Sequence, residues 1–250
     1  MVFCNKKDDR ADITRKKIFD AARTEFAARG YDGARMNSIA KAAQVNKAMI
    51  HYYFNSKEEL YQQVLYSLFF GGTLEKNIMQ PFMQSELTPP ERLYVAIYTI
   101  VYIHYEMRDQ EHHQIMAWET AGNRHYLKKI ARELLVPRMQ SLETIIKDGI
   151  KSKDFVCKDP IFVLWQLLSF MAFHSMSRET FEDSEVFSDL YEKYSVETMV
   201  EILATFTFKI ISPMSHKITL PKISKKIINE VKKAIQETVR PEQAETTGAI

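Results

Sequence analysis

The stretch Asn46-Lys47-Ala48-Met49-Ile50-His51-Tyr52-Tyr53-Phe54-Asn55-Ser56-Lys57-Glu58-Glu59-Leu60 decides the fold. Asn46 is a good N-cap, and it predicts a short helix over 47–54. Asn55-Ser56 breaks that helix. Ser56 and Glu59 then form Ser-x-x-Glu, a capping box that opens a further helix carrying Leu60, Val64 and Leu68. Upstream, Met36, Ile39, Ala40 and Ala43 predict another short helix, interrupted at Val45-Asn46. Before it, Ile18, Ala22 and Phe26 recur every four residues, with Ala21 on the same face. Asp12 or Thr14 is the expected cap, Gly30 the expected stop, and Tyr31-Asp32-Gly33 a turn. Helices of this length are marginal alone. Three in about 40 residues must share one small core, which is the pattern of a helix-turn-helix unit.

The rest of the chain reads as longer helices. They cover 91–107, 112–120, 126–151 with a kink at Pro137, 160–177 with Asp159 as cap, and 196–211. Residues 179–194 read as an acidic loop. Only 7 Gly and 8 Pro in 250 residues leave little turn chemistry for a sandwich or barrel, and the expected class is all-α. Beyond Pro213, Ile223, Ile227, Val231 and Ile235 alternate with Lys225, Lys226, Lys232 and Lys233 in an amphipathic basic helix. It packs on its own body or a partner subunit, stays solvated, or meets a membrane or DNA through its lysines. Residues 241–250 read as disordered.

Cys4 and Cys157 are too few for a disulfide framework. The charged N-terminus predicts no signal peptide, and the cytoplasm is the expected location. The densest apolar run, 161–176, reads as too short to span a membrane. Residues 1–66 hold 12 Lys+Arg against 8 Asp+Glu, residues 67–213 hold 15 against 20, and residues 214–250 hold 7 against 4. A basic head on an acidic body points toward an anionic partner such as nucleic acid.

Over 18–66 the sequence resembles the TetR/AcrR family of bacterial transcriptional regulators. The likeness rests on Ile18, Ala21, Ala22, Phe26, Gly30, Tyr31, Ile39, Ala40, Ala43, Val45, Lys47 and Tyr53-Phe54, then Ser56-Lys57-Glu58-Glu59-Leu60. A looser likeness covers 119–127. The resemblance implies an N-terminal three-helix DNA-binding domain, a connecting helix, and a C-terminal helical domain for ligand binding and dimerisation. The expected division is an arm at 1–12, a helix-turn-helix domain at 13–56, a body at 57–213 and an extension at 214–250. The family often has Gly where Gln44 and Ala48 stand, and Ser or Thr where Arg35 stands. With the turn unchanged, Gln44 must be left-handed.

A helix-turn-helix lays its second helix in the major groove. Asn46, Lys47, Ala48, Met49, His51 and Tyr52 are therefore the expected DNA-facing residues. Lys47 suits guanine or phosphate, Ala48 and Met49 a thymine methyl, and His51 and Tyr52 phosphate oxygens. Lys57 joins them at a helix N-terminus, with Arg35 and Asn37 as phosphate clamps. Ile50, Tyr53 and Phe54 are expected inside.

The resemblance also implies an apolar ligand cavity in the body, for which Tyr102, Trp118 and Phe173 are the chosen residues. Phe162, Trp165, Val196, Met199, Val200, Leu203 and Phe206 are the expected self-association residues. No cofactor or metal is expected. His104, His112, His113 and His125, with Glu111 and Glu119, cluster in sequence but contain no His-x3-His helical pair. The expectation is a dimeric repressor of a palindromic operator, released by a small apolar or aromatic ligand and without a membrane partner. The rivals are an activator or ligand-independent regulator on the same scaffold, a helical metal-dependent enzyme using 104–125, and a purely structural helical dimer.

Overall fold

A computed structural model describes residues 6–83, 86–106, 110–122, 125–188, 191, 193–213 and 219–239. Cys4 and the segment 241–250 lie outside them. The described residues contain helices and no strand. In chain order the helices are α1 (Lys6–Gly33), α2 (Met36–Ala42), α3 (Lys47–Phe54), α4 (Lys57–Leu68), α5 (Gln80–Met83), α6 (Pro89–Glu106), α7 (Gln110–Ala121), α8 (His125–Ile130), α9 (Val136–Lys151), α10 (Pro160–Phe181), α11 (Val196–Ile211) and α12 (Lys225–Val239). π-helical turns at Glu75–Met79 and Ala131–Leu135 precede α5 and α9.

The chain gathers into two compact units. The first joins the segment through Gly71 to Asp109–Glu133, and the second holds the rest. This grouping differs from a sequence cut at residue 56: α4, α7 and α8 belong with the helix-turn-helix.

In the first unit Ile18, Ala22 and Phe26 of α1 are wholly buried with Ile39, Ile50, Leu60 and Val64. α1 starts before the expected caps, and Thr14 donates its hydroxyl to the Arg10 carbonyl, 2.8 Å away, inside the helix. Gly30 breaks the helix as expected, at φ 64, before it resumes to Gly33. A Cβ there would also sit 3.0 Å from the Trp118 ring, so glycine meets both a backbone and a packing demand. Trp118 in turn donates its indole N–H to the Ala27 carbonyl at 2.9 Å.

In the second unit α6 is the spine, packed against α9, α10, α11 and α12. Leu93, Val95, Ile97, Tyr98, Val101 and Tyr102 of α6 are buried, as an apolar-all-round helix requires. Arg92 pairs with Asp148 of α9 at 3.5 Å. A π-turn over Ala131–Leu135 runs directly into α9, and Pro137, where a kink is expected, lies in the first turn of α9. Asp159 caps α10 by accepting from Phe162 N–H at 3.1 Å.

Two body expectations change. α10 runs beyond 177, and its segment Pro160–Arg178 is long and apolar enough to cross a membrane by length and composition alone. The 161–176 reading missed this because it ended at the last apolar residue, not at the end of the helix. Met199, Val200 and Leu203 of α11 are buried within their own unit, since that face is used against α6. The exposed apolar stripe is formed by Phe162, Trp165, Phe173 and Met176 of α10, with Phe206 and Ile210 exposed on α11.

The tail helix α12 packs on its own body. Val231 and Ile235 are fully buried, and α12 meets α6 and the first π-turn.

Candidate nucleic-acid interface

The α2–α3 connection is built by capping alone. Ala43 N–H bonds to the Ile39 carbonyl at 2.9 Å, Gln44 N–H to Lys41 at 3.2 Å and Val45 N–H to Ala40 at 2.9 Å. With Gln44 at φ 57, this is a Schellman stop, with a side chain where glycine is the usual solution. Two residues later the Asn46 side chain accepts from Met49 N–H at 2.9 Å and starts α3. Asn46 thus spends its carbonyl oxygen on the cap, leaving its amide nitrogen for other work.

α3 spans eight residues, roughly 12 Å of helix at 1.5 Å per residue. Ile50 and Phe54 are buried beneath it. Lys47, Ala48, His51 and Tyr52 are exposed, Tyr52 at 80%, and Met49 is half-buried. Tyr53 departs from expectation: it is half-buried, with its ring edge-on to Tyr52 at 5.1 Å, because Phe54 alone closes the core. His51 donates Nδ1–H to the Asn55 carbonyl at 2.8 Å, which turns Nε2 outward.

Asn55 adopts φ 58 and ends α3, and Ser56 caps α4 by accepting from Glu59 N–H at 3.0 Å. The capping box is only half made. The Glu59 carboxylate accepts from the Asn55 side-chain amide at 2.8 Å, since the left-handed turn brings that amide to it.

Lys57, in the first turn of α4, lays its ammonium 4.7 Å from the centre of the Tyr31 ring. Arg35 is the extended N-cap of α2 and makes no side-chain cap bond, as expected of a residue without a short acceptor. Its N–H donates instead to Glu25 at 3.1 Å, leaving the guanidinium exposed beside exposed Asn37. Sequence reading passed over Arg15. It lies over the Phe54 ring at 5.1 Å and donates to Gln63 at 2.8 Å. No local pattern joins residues so far apart in the chain, so only the fold reveals this cation.

The interface rests on a buried polar network. The Tyr61 hydroxyl donates to Glu119 at 2.8 Å, and Leu127 N–H donates to the other carboxylate oxygen at 3.1 Å. Burial, and then the Glu119 carboxylate, push the Tyr61 phenol far above its ordinary range. Burial and the Tyr31 hydroxyl do the same to Tyr126. Tyr31, Tyr61 and Tyr126 form one ring cluster with centroids 5.0–5.2 Å apart. Arg23 pairs with Glu111 at 3.1 Å, and Thr24 donates to Glu111 at 2.6 Å. The acidic members of the 104–125 cluster therefore tie α7 to α1 and α4. Among the described residues no three His, Cys, Asp or Glu side chains stand together as metal ligands do.

The residues chosen for a ligand fall in different places. Trp118 belongs to the first unit and is 48% exposed, Tyr102 is buried on α6, and Phe173 is 67% exposed on α10.

Residues 18–64 match the model of the family described as bacterial regulatory proteins, tetR family. Over these residues the chain carries the tetR-family segment. The tetR-family match covers all of α2 and α3 and most of α4. The chain is 28% identical over 198 residues to the uncharacterized HTH-type transcriptional regulator YhgD of Bacillus subtilis, covering 74% of this chain and 96% of that one. It is 28% identical over 175 residues to the HTH-type transcriptional repressor NicS of Pseudomonas putida, covering 68% and 79%. The fold matches a TetR-like transcriptional regulator from Rhodococcus sp. RHA1 at TM-score 0.56 and 15% identity, over 78% of this chain and 94% of that one.

Proposed function

We propose that the chain is a repressor that acts as a two-fold dimer, holds a palindromic operator through its paired α3 helices, and is released by a small apolar or aromatic ligand. One observation carries the reading. Ile50 and Phe54 fix α3 from beneath, while Lys47, Ala48, His51 and Tyr52 stand exposed on the other side. Lys47 is a donor for guanine or phosphate, Ala48 and Met49 offer methyl contacts, and Tyr52 and His51 serve phosphate oxygens. Asn46 contributes its amide nitrogen. Lys57 adds charge at the N-terminus of α4, and Arg35 and Asn37 add donors at the start of α2.

The exposed stripe of Phe162, Trp165, Phe173 and Met176 along α10 supports a second copy as its cover, because large apolar side chains exposed along one helix mark an association site. The repressor sense follows the printed name of NicS. Of the residues chosen for a ligand, the buried Tyr102 remains the proposed one. Release then follows from differential affinity: a ligand that binds better to a form with mismatched α3 spacing draws the dimer off DNA. No catalytic step enters.

The test is fluorescence anisotropy on a duplex selected by the purified protein, across a salt series. Lys47→Ala and Lys57→Ala should each lower affinity. Each should also reduce the salt slope by ~0.9 for every phosphate no longer neutralised, or ~1.8 per dimer. Unchanged affinity and slope in both variants would refute the assignment of these two lysines to DNA.

A further inference from the structure

The second unit holds a cation in a setting that recognises ammonium groups in general. Tyr98 and Tyr102, one turn apart on α6, lie stacked with ring centroids 5.9 Å apart and planes 15° apart. The Lys232 ammonium of α12 lies 5.9 Å from the centre of each ring. It pairs with Glu197, in the first turn of α11, at 3.0 Å. Gln236, one turn along α12, donates to the Tyr102 hydroxyl at 3.0 Å and steadies that ring. Glu201 lies one turn beyond Glu197 on α11 and adds a second negative charge near Tyr94. The hydrogen bond from Lys232 holds the Glu197 carboxyl below the usual carboxylate range, and Glu197 in turn raises Lys232.

Two aromatic faces and a carboxylate around one ammonium are the elements of an organic-cation receptor. Three of them, Tyr98, Tyr102 and Glu197, come from the body, and only the cation comes from the tail. The tail does not depend on that cation for docking, since Val231 and Ile235 are fully buried beside it. The Lys232 side chain is 34% exposed on a flexible four-carbon stem, so it can swing out while α12 stays seated.

We propose that Tyr98, Tyr102 and Glu197 form a binding site for small organic ammonium ions, in which Lys232 is the built-in occupant that a free cation displaces. The site shares Tyr102 with the proposed effector site but is independent of it, because its occupancy is measured without DNA. The tethered lysine competes at high effective concentration, so the apparent affinity for a free cation is reduced by the fraction of time the site stands open.

The experiment titrates choline into the full-length protein by calorimetry, with uncharged 3,3-dimethylbutanol as its isosteric control. Lys232→Ala should bind choline about tenfold more tightly than the unaltered chain, as expected if the site is closed about nine-tenths of the time. Adding Glu197→Gln to that variant should lose the gain, and the neutral isostere should give no saturable binding to either. A second measurement needs no variant. In the unaltered protein, acylation of Lys232 followed by mass spectrometry should start slower than that of exposed Lys233 and rise toward it as choline is added. Equal choline affinity with and without Lys232, binding indifferent to Glu197, or Lys232 acylation unmoved by choline would each overturn the proposal.

Discussion

The Tyr61–Glu119 bond should be the most sensitive point of the first unit. Tyr61 is 1% exposed and Glu119 7%. The carboxylate has two described donors, the Tyr61 hydroxyl at 2.8 Å and Leu127 N–H at 3.1 Å. Tyr61→Phe keeps the ring between Phe26 at 4.7 Å and Tyr126 at 5.2 Å, so packing is preserved and only the donor is removed. A hydrogen bond to a charged group contributes about 1.5–3 kcal/mol, which is the expected destabilisation. Glu119→Ala strands both donors and should cost about 3–5 kcal/mol. The double variant should then be milder than the sum by about 1–2 kcal/mol. The assay is urea unfolding followed by Trp118 fluorescence in a Trp165→Phe background, which confines the signal to the unit that contains the bond. A Tyr61→Phe protein within about 0.5 kcal/mol of its parent, or additivity of the two changes, would refute the assignment, because that is the usual range of a neutral substitution.

Three further outcomes follow from the same geometry. Tyr61 and Tyr126 are both pushed upward, chiefly by burial, so the folded state keeps phenol protons that the unfolded chain releases near pH 10. Their contribution is complete below that pH and is lost above it, at up to ~1.4 kcal/mol per pH unit for each group; urea melts at pH 9 to 11 should show the fall, and Tyr61→Phe should make it shallower. Gln44→Gly should stabilise the protein by about 0.5–1 kcal/mol: relief of the left-handed strain at φ 57 exceeds the added backbone entropy, and a lower denaturation midpoint would count against the turn as described. Gly149→Ala should cost about 1–3 kcal/mol, since the new methyl meets the ring of buried Phe155, whose backbone N–H donates to the Gly149 carbonyl; calorimetric melting checks it.

What could be read from the sequence was what short-range chemistry controls. Asn46, Ser56 and Asp159 each cap the helix that their side chains announce, because an N-cap bond spans only three residues. The left-handed Gln44 was legible for the same reason, as was Gly30. Choices between two partners of similar strength were not: Glu59 bonds to the Asn55 amide and not to the Ser56 N–H, which depends on the backbone angle at residue 55. The exposed set on α3 was mostly legible, since an eight-residue helix with two buried anchors has one free side. Tyr53 was misjudged because apolar pattern cannot rank two adjacent aromatics for one core position.

Long-range ties left no local trace. Nothing at Glu119 itself marks it as the partner of a residue 58 positions away, and nothing at Lys232 marks Glu197, 35 positions away. Both ties join separate helices, and which helix supplies the partner is set by the packing of the whole unit. The same lysine pattern therefore read equally as a solvated face, a membrane surface or a packed tail. Helical periodicity reports which residues share a side, whereas the identity of the facing helix is a property of the whole chain. That division explains why the exposed side of α3, built within one short segment, could be named in advance, and why the proposed cation site, built from α6, α11 and α12, could not.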